Sequence, residues 1–224
     1  MRPLSPEEQA LVTRAVESAE ARTSGEIVTV LAERSDGYSD VVLVGCAAIA
    51  FTAMSVFAAM PAPFLELWDR IFAQWGHVWS IGEIASMTIA LGLFAFLLAW
   101  LVLTNDALRF ALVPGPVRTR RVHDAAVRHF KVGAERRTHG RTGVLLYVSL
   151  REHRAEIFAD EAIATRVPAD VWGEAMADML AEIRNGRIAE GFAAGVRDVG
   201  EVLAQHFPKA ENDRNELPDR LIQL

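Results

Sequence analysis

The sequence predicts a small three-layer α/β/α sandwich assembled from both ends of the chain, with a two-helix transmembrane hairpin inserted in the crossover after its first strand. Three observations carry this. Two charge-free apolar runs of membrane-spanning length lie mid-chain, at residues 41–60 and 84–103. A short strand-like run precedes them at 27–32, and a second, equally apolar, follows at 142–149. Strands apolar on both faces need helices above and below.

The chain has 224 residues, of which 51% are hydrophobic, and the excess over an ordinary core is concentrated in the two long runs. About 20 residues at 1.5 Å each cross a bilayer core. Core helices are usually shorter and amphipathic, whereas these runs are apolar all round. The division expected is therefore 1–40 and 104–208 as two parts of one domain, 41–103 as the hairpin with its connection at 61–83, and 209–224 as a polar, loosely ordered tail. Of that tail, Leu221, Ile222 and Leu224 have the character to dock.

The element pattern runs as follows. Ser5-Pro6-Glu7-Glu8 is a helix start with a capping box, and Leu11, Val12, Ala15, Val16 and Ala19 form its apolar face up to Gly25. The strand at 27–32 cannot stand with one helix, because a fragment of about 40 residues buries too little surface to offset its ordering entropy. Its partner is the second piece, where Val122, Ala126 and Phe130 mark a helix and 142–149 a strand. A turn at 151–153 leads to a third strand, 154–160, whose alternation suits an edge. Two helices close the domain, with Trp172, Met176, Met179 and Ile183 on one and Ile188, Phe192, Val196, Val199 and Leu203 on the other.

Charge orients the hairpin. The connection holds Arg70 as its only Lys or Arg, against Glu66, Asp69 and Glu83, while Arg34, Arg109, Arg118, Arg120 and Arg121 flank the outer ends. The positive-inside rule puts both termini and the soluble domain in the cytoplasm, as in a bacterial inner-membrane protein, with no signal peptide expected ahead of the first span. Trp68, Trp75, Trp79 and Trp100 suit interfacial anchors, and the connection suits a short amphipathic helix on the bilayer. If the first two strands are parallel, the turn after the second also faces the bilayer. Arg118, Arg120, Arg121, Arg151 and Arg154 then meet anionic headgroups; the same turn reads equally well as an ordinary solvated hairpin.

Chemistry is sparse. The lone cysteine, Cys46, sits inside the first span and excludes an internal disulfide. A net charge of −6 spread over mixed-sign segments argues against nucleic acid. Gly-rich phosphate loops, serine elbows and Cys-His pairs are absent, so no catalytic residue is assigned. Thr142 would need a base such as His139 to act as a nucleophile. His123 and His129 are six apart, which does not put two imidazoles on one helix face for zinc. At the rim away from the bilayer, Glu26, Asp160 and Glu161 are the oxygen donors a metal would use, and calcium needs six to eight; solvated carboxylates at strand ends are the plainer reading.

Thr23-Ser24-Gly25-Glu26-Ile27-Val28, Gly143-Val144-Leu145-Leu146-Tyr147-Val148-Ser149 and Arg154-Ala155-Glu156-Ile157, with Gly186, Gly191 and Phe192 ahead of Pro208, together resemble the TPM domain family of membrane-associated or exported α/β domains. The resemblance implies a Rossmann-like sandwich and, as in some relatives, weak phosphatase activity with a calcium site, or an accessory role toward a membrane protein complex. Arg141-Thr142 stands where relatives often have Asp-Asn, and Asp160-Glu161-Ala162-Ile163 where they often have a glycine-rich turn. The metal-ligating pattern is thus incomplete. The expectation is a non-catalytic, membrane-tethered interaction domain without a cofactor; the alternative is a metal-dependent phosphomonoesterase using the rim acids.

Overall fold

A computed structural model describes residues 4–72, 77–133, 142–210 and 217–224. The chain forms two compact units, one of Met1–Asp36 with Gly115–Leu224 and the other of Gly37–Pro114. The first is mixed α/β around a four-stranded sheet; the second is helical.

In the first unit, α1 (Pro6–Glu20) starts on the expected capping box, with the Glu8 amide donating to Ser5 Oγ and the Ser5 amide to Glu8 Oε2. It leads into β1 (Glu26–Ala32), every residue of which is buried. In the second unit follow α2 (Ser39–Ala59), α3 (Pro61–Phe72), α4 (Ile81–Leu103) and the short α5 (Asp106–Leu112). The chain then returns through α6 (Gly115–Gly133) to β2 (Gly143–Ser149), β3 (Arg154–Ala159), the one-turn α7 (Glu161–Ala164), α8 (Trp172–Arg184), α9 (Ile188–His206) and β4 (Ile222–Gln223).

The sheet order is β3-β2-β1-β4. β1 and β2 run parallel and in register from Glu26 opposite Gly143 to Ala32 opposite Ser149, so the expected pairing across the hairpin is present. β3 is antiparallel to β2, half-buried along its length, and at the edge. At the end of the tail, Ile222 and Gln223 extend the sheet beside Val30 and Leu31, and the Leu224 amide donates to the Leu31 carbonyl. The apolar residues at 221–224 are what a strand edge needs to recruit them.

Because successive side chains on a strand point to opposite faces, β1 and β2 feed two separate cores. Ile27, Leu31, Val144, Leu146 and Val148 pack with α1, α8 and α9 through Val12, Val16, Met179, Phe192, Val196 and Leu203. Val28, Val30, Ala32, Leu145 and Tyr147 pack with α6 through Val122, Ala125, Ala126 and Phe130. The helix pairing behind the first core is close. A Cβ added to Gly191 would lie 2.8 Å from the Met179 carbonyl oxygen and 2.6 Å from Ile183 Cγ1, whereas one at Gly173 would meet nothing within 4 Å.

In the helical unit, α2 and α4 are 21 and 23 residues long, with mean hydropathy 2.3 in their most apolar windows, long and apolar enough to cross a membrane. Only 22% and 11% of those windows are buried, so they are not ordinary core helices. Val42, Cys46, Ala99 and Leu103 pack into a small seam, and a Cβ on Gly92 would strike Met54. The helices begin two or three residues ahead of the expected spans; for α4 the reason is a capping box, Ser80 Oγ accepting from the Glu83 amide and the Ser80 amide donating to Glu83 Oε2.

Gly191→Ala is expected to destabilise the α/β unit by about 1–3 kcal/mol through overpacking against backbone, while Gly173→Ala is neutral or slightly stabilising. Thermal unfolding of the detergent-solubilised chain, followed by circular dichroism, checks the pair.

Candidate functional site

The rim acids converge on the first residue of β2. Glu26 stands opposite Gly143 on one side. On the other, β3 ends at Ala159, and the Asp160 amide donates to the Gly143 carbonyl at 2.9 Å while the Gly143 amide approaches Asp160 Oδ2 at 3.4 Å. Both acids are buried, and Glu26 Oε2 accepts the Leu217 amide at 3.2 Å. Glu161, the third sequence candidate, is exposed at the start of α7. Among the described residues no group of three or more His, Cys, Asp or Glu side chains is arranged to hold a metal ion. The oxygens of Glu26 and Asp160 would have to exchange backbone amides for an ion, and calcium would still draw most of its six to eight ligands from elsewhere.

A fourth acid, which sequence reasoning missed, lies beside them. Glu20, the last residue of α1, turns inward so that Oε1 accepts the Ile27 amide at 2.8 Å, while Oε2 is shielded and has no hydrogen-bond partner. Burial pushes its carboxyl up to about 8; the Ile27 amide and Lys209 oppose the rise, and the charges of Glu26 and Asp219 add to it. At neutral pH Glu20 therefore carries its proton. The available signal was a carboxylate in the last turn of a helix, where the dipole disfavours negative charge.

The remaining rim candidates are occupied otherwise. Thr142 Oγ1 donates to the Ser24 carbonyl at 3.0 Å, and its suggested base His139, like Arg141, lies outside the described residues. His123 lies 3.7 Å from Glu156 and His129 stacks on Tyr147, so the two imidazoles are engaged separately. Burial holds His129 below the usual histidine range.

At the opposite end of the parallel pair is a polar knot with no sequence signature. Glu152, fully buried in the β2–β3 turn, accepts the Ser35 amide on Oε1 and the Ser149 hydroxyl on Oε2. Ser35 Oγ in turn reaches Tyr147 Oη and Ser149 Oγ at 3.0 and 2.9 Å. The knot ties the segment leaving β1 to the turn leaving β2. Around it the expected arginines gather: Arg154 Nε donates to Thr119, between Arg118 and Arg120, while Arg151 pairs with Glu33 and Arg121 with Asp36. Arg118 Nε is buried without a partner.

Of the four tryptophans read as anchors, Trp68 on α3 and Trp100 on α4 are exposed, Trp79 donates its indole N–H to Asp69, and Trp75 lies outside the described residues.

Residues 108–202 match the family model described as the TPM domain. Over these residues the chain is similar to the TPM domain family. The match runs from α5 into α9 and leaves out β1, which the register of the sheet nevertheless joins to β2. Among solved structures, the chain is similar to the NMR structure of BA42 protein from the psychrophilic bacterium Bizionia argentinensis, with 18% identity, a TM-score of 0.57, and coverage of 99% of this chain and 95% of that one. At that identity the likeness concerns the fold. No curated protein matches the chain.

Because Glu20 is protonated in the folded α/β unit and ionises near the ordinary carboxylate value of 4.5 when exposed, the folded chain holds one more proton between about 4.5 and 8. Its contribution to stability therefore falls as pH climbs through that window. Glu20→Gln is expected to remove this fall, matching the wild type near the acidic end and exceeding its Tm at the alkaline end; melting curves across the range check it.

Proposed function

We propose that this chain is a membrane-tethered TPM domain acting as an accessory, interaction protein for a membrane protein complex, with the lipid bilayer as its first partner. The observation that carries this reading is the basic end of the α/β unit. Arg118, Arg120, Arg121, Arg151 and Arg154 cluster where β1 and β2 terminate, a few residues in sequence from both points at which the chain passes to and from α2–α5. A tether raises the local concentration of such a surface near membrane partners, and arginines at a bilayer surface attract anionic headgroups. The two cores, one with α1, α8 and α9 and one with α6, support a three-layer, Rossmann-like sandwich.

On this reading α2 and α4 span an inner-membrane-type bilayer, and the TPM domain with both termini lies in the cytoplasm. In a Cys46→Ser background, Ser80→Cys is expected to react with a membrane-impermeant maleimide in intact cells, and Ser24→Cys only after permeabilisation. Labelling with the reverse polarity would overturn the orientation; a chain extracted from membranes by carbonate would overturn the spans.

The alternative is a weak metal-dependent phosphatase, favoured by the convergence of Glu26 and Asp160 on Gly143. Hydrolysis of an aryl phosphate that requires added calcium or another divalent ion, and that falls at least tenfold in Asp160→Ala, would select it. Activity indifferent to that substitution rules out the rim as its site.

A further inference from the structure

The basic end of the α/β unit is not uniform. Arg121 lies 3.3 Å from Asp36 and Arg151 lies 3.4 Å from Glu33, so each of these charges is answered by a carboxylate. Among the described residues, Arg118, Arg120 and Arg154 have no such partner. They meet around one threonine. Arg154, the first residue of β3, reaches across to α6, where its Nε donates to Thr119 Oγ1 at 3.2 Å. At about 100° per helical residue, Arg118 and Arg120 stand on either side of Thr119. Arg118 shares the helix stripe of the buried Val122, and its Nε is shielded from solvent with no hydrogen-bond partner. A buried donor left unpaired is unfavourable, and a charged one more so.

The turn that presents Arg154 is tightly held. His153 has a φ of 52°, in the left-handed region that favours glycine, and its amide donates to the Leu150 carbonyl. Next to it, the buried Glu152 carboxylate ties the turn to the Ser35 amide and the Ser149 hydroxyl. Arg154 Nη1 donates to the His153 carbonyl at 3.0 Å, which leaves Nη2 unbonded among the described residues. Its guanidinium is thus oriented before any ligand arrives, which lowers the ordering cost of binding.

The shielded Nε of Arg118, the open side of Arg154 and the uncompensated Arg120 call for an anion with several acceptor oxygens and more than one charge. A phosphodiester headgroup offers two unesterified oxygens and a single charge. A phosphomonoester offers three such oxygens and a charge of about −1.5 to −2.

We propose that this corner between α6 and β3 binds the phosphate of a phosphomonoester lipid headgroup, as in phosphatidic acid. The inference rests on the reading of the basic end as the one that faces the bilayer. A lipid is favoured over a free phosphate because α6 begins at Gly115, directly after the helical unit ends at Pro114.

Native mass spectrometry of the full chain in mild detergent, titrated with dioleoyl phosphatidic acid, dioleoyl phosphatidylglycerol or inorganic phosphate, tests it. The expected result is a single phosphatidic acid adduct, favoured several-fold over phosphatidylglycerol. Arg118→Gln with Arg154→Gln should remove that adduct. Arg118→Lys with Arg154→Lys keeps both charges but neither guanidinium fork, so it should retain lipid and erase the preference. Arg121→Gln with Arg151→Gln should leave the preference in place. Thermal unfolding of each pair checks that the α/β unit is folded. A preference that survives the lysine pair, or inorganic phosphate retained as strongly as the lipid, would overturn the proposal. Equal adducts of the two lipids on the wild type would also overturn it while leaving the anionic bilayer as a partner. Retention of neither lipid would count against both readings.

Discussion

The parallel pairing of β1 with β2 is the contact on which the molecule depends. It joins segments more than a hundred residues apart, with the whole helical unit between them in sequence, in one unbroken register from Glu26–Gly143 to Ala32–Ser149. Closing so long a loop is entropically unfavourable, but the penalty grows only logarithmically with loop length. Two strands buried on both faces offset it, since each buried aliphatic side chain contributes about 1.5–3 kcal/mol. Inserting a hairpin into a crossover is therefore tolerable provided both strands keep their apolar character throughout.

The same pairing decides what lies at each end of the sheet. Where the strands begin, it brings Glu26 and Asp160 to opposite sides of Gly143 and leaves Glu20 shielded next to them. Carboxylates so close, and so dry, hold a proton or accept backbone amides in preference to carrying full charge. Where the strands end, Glu152 gathers Ser35 and Ser149 into one buried knot, and arginines from α6 and the β2–β3 turn surround it. The α/β unit thus has one end that conceals acids and another that displays bases. That polarity supports the proposed orientation toward an anionic surface.

Much of this was visible in the amino-acid order alone. Lipid-length runs, the capping box of α1 and the apolar strands are local patterns whose periods and lengths follow from helix and strand geometry, so they can be read without partners. The family resemblance was likewise carried by strand and glycine motifs that the match over residues 108–202 contains in large part. Glu26, Asp160 and Glu161 are legible as rim acids, yet spacing does not tell that two of them are buried around one glycine and the third exposed.

What the sequence by itself determined is the kind of each segment: which stretches are greasy enough for lipid, which alternate as strands, and which side of the hairpin is basic. Tertiary structure decided the rest, because those outcomes depend on groups distant along the chain. The docking of Ile222 and Gln223 on β1 needed an open sheet edge. The raised pKa of Glu20 needed the fold to bury it, with Glu26 and Asp219 nearby, against the opposing pull of the Ile27 amide. The knot at Glu152 needed Ser35, more than a hundred residues earlier, to be carried to the β2–β3 turn by the strand pairing itself. Desolvation and hydrogen-bond partnership belong to the folded neighbourhood, and no window of sequence contains them.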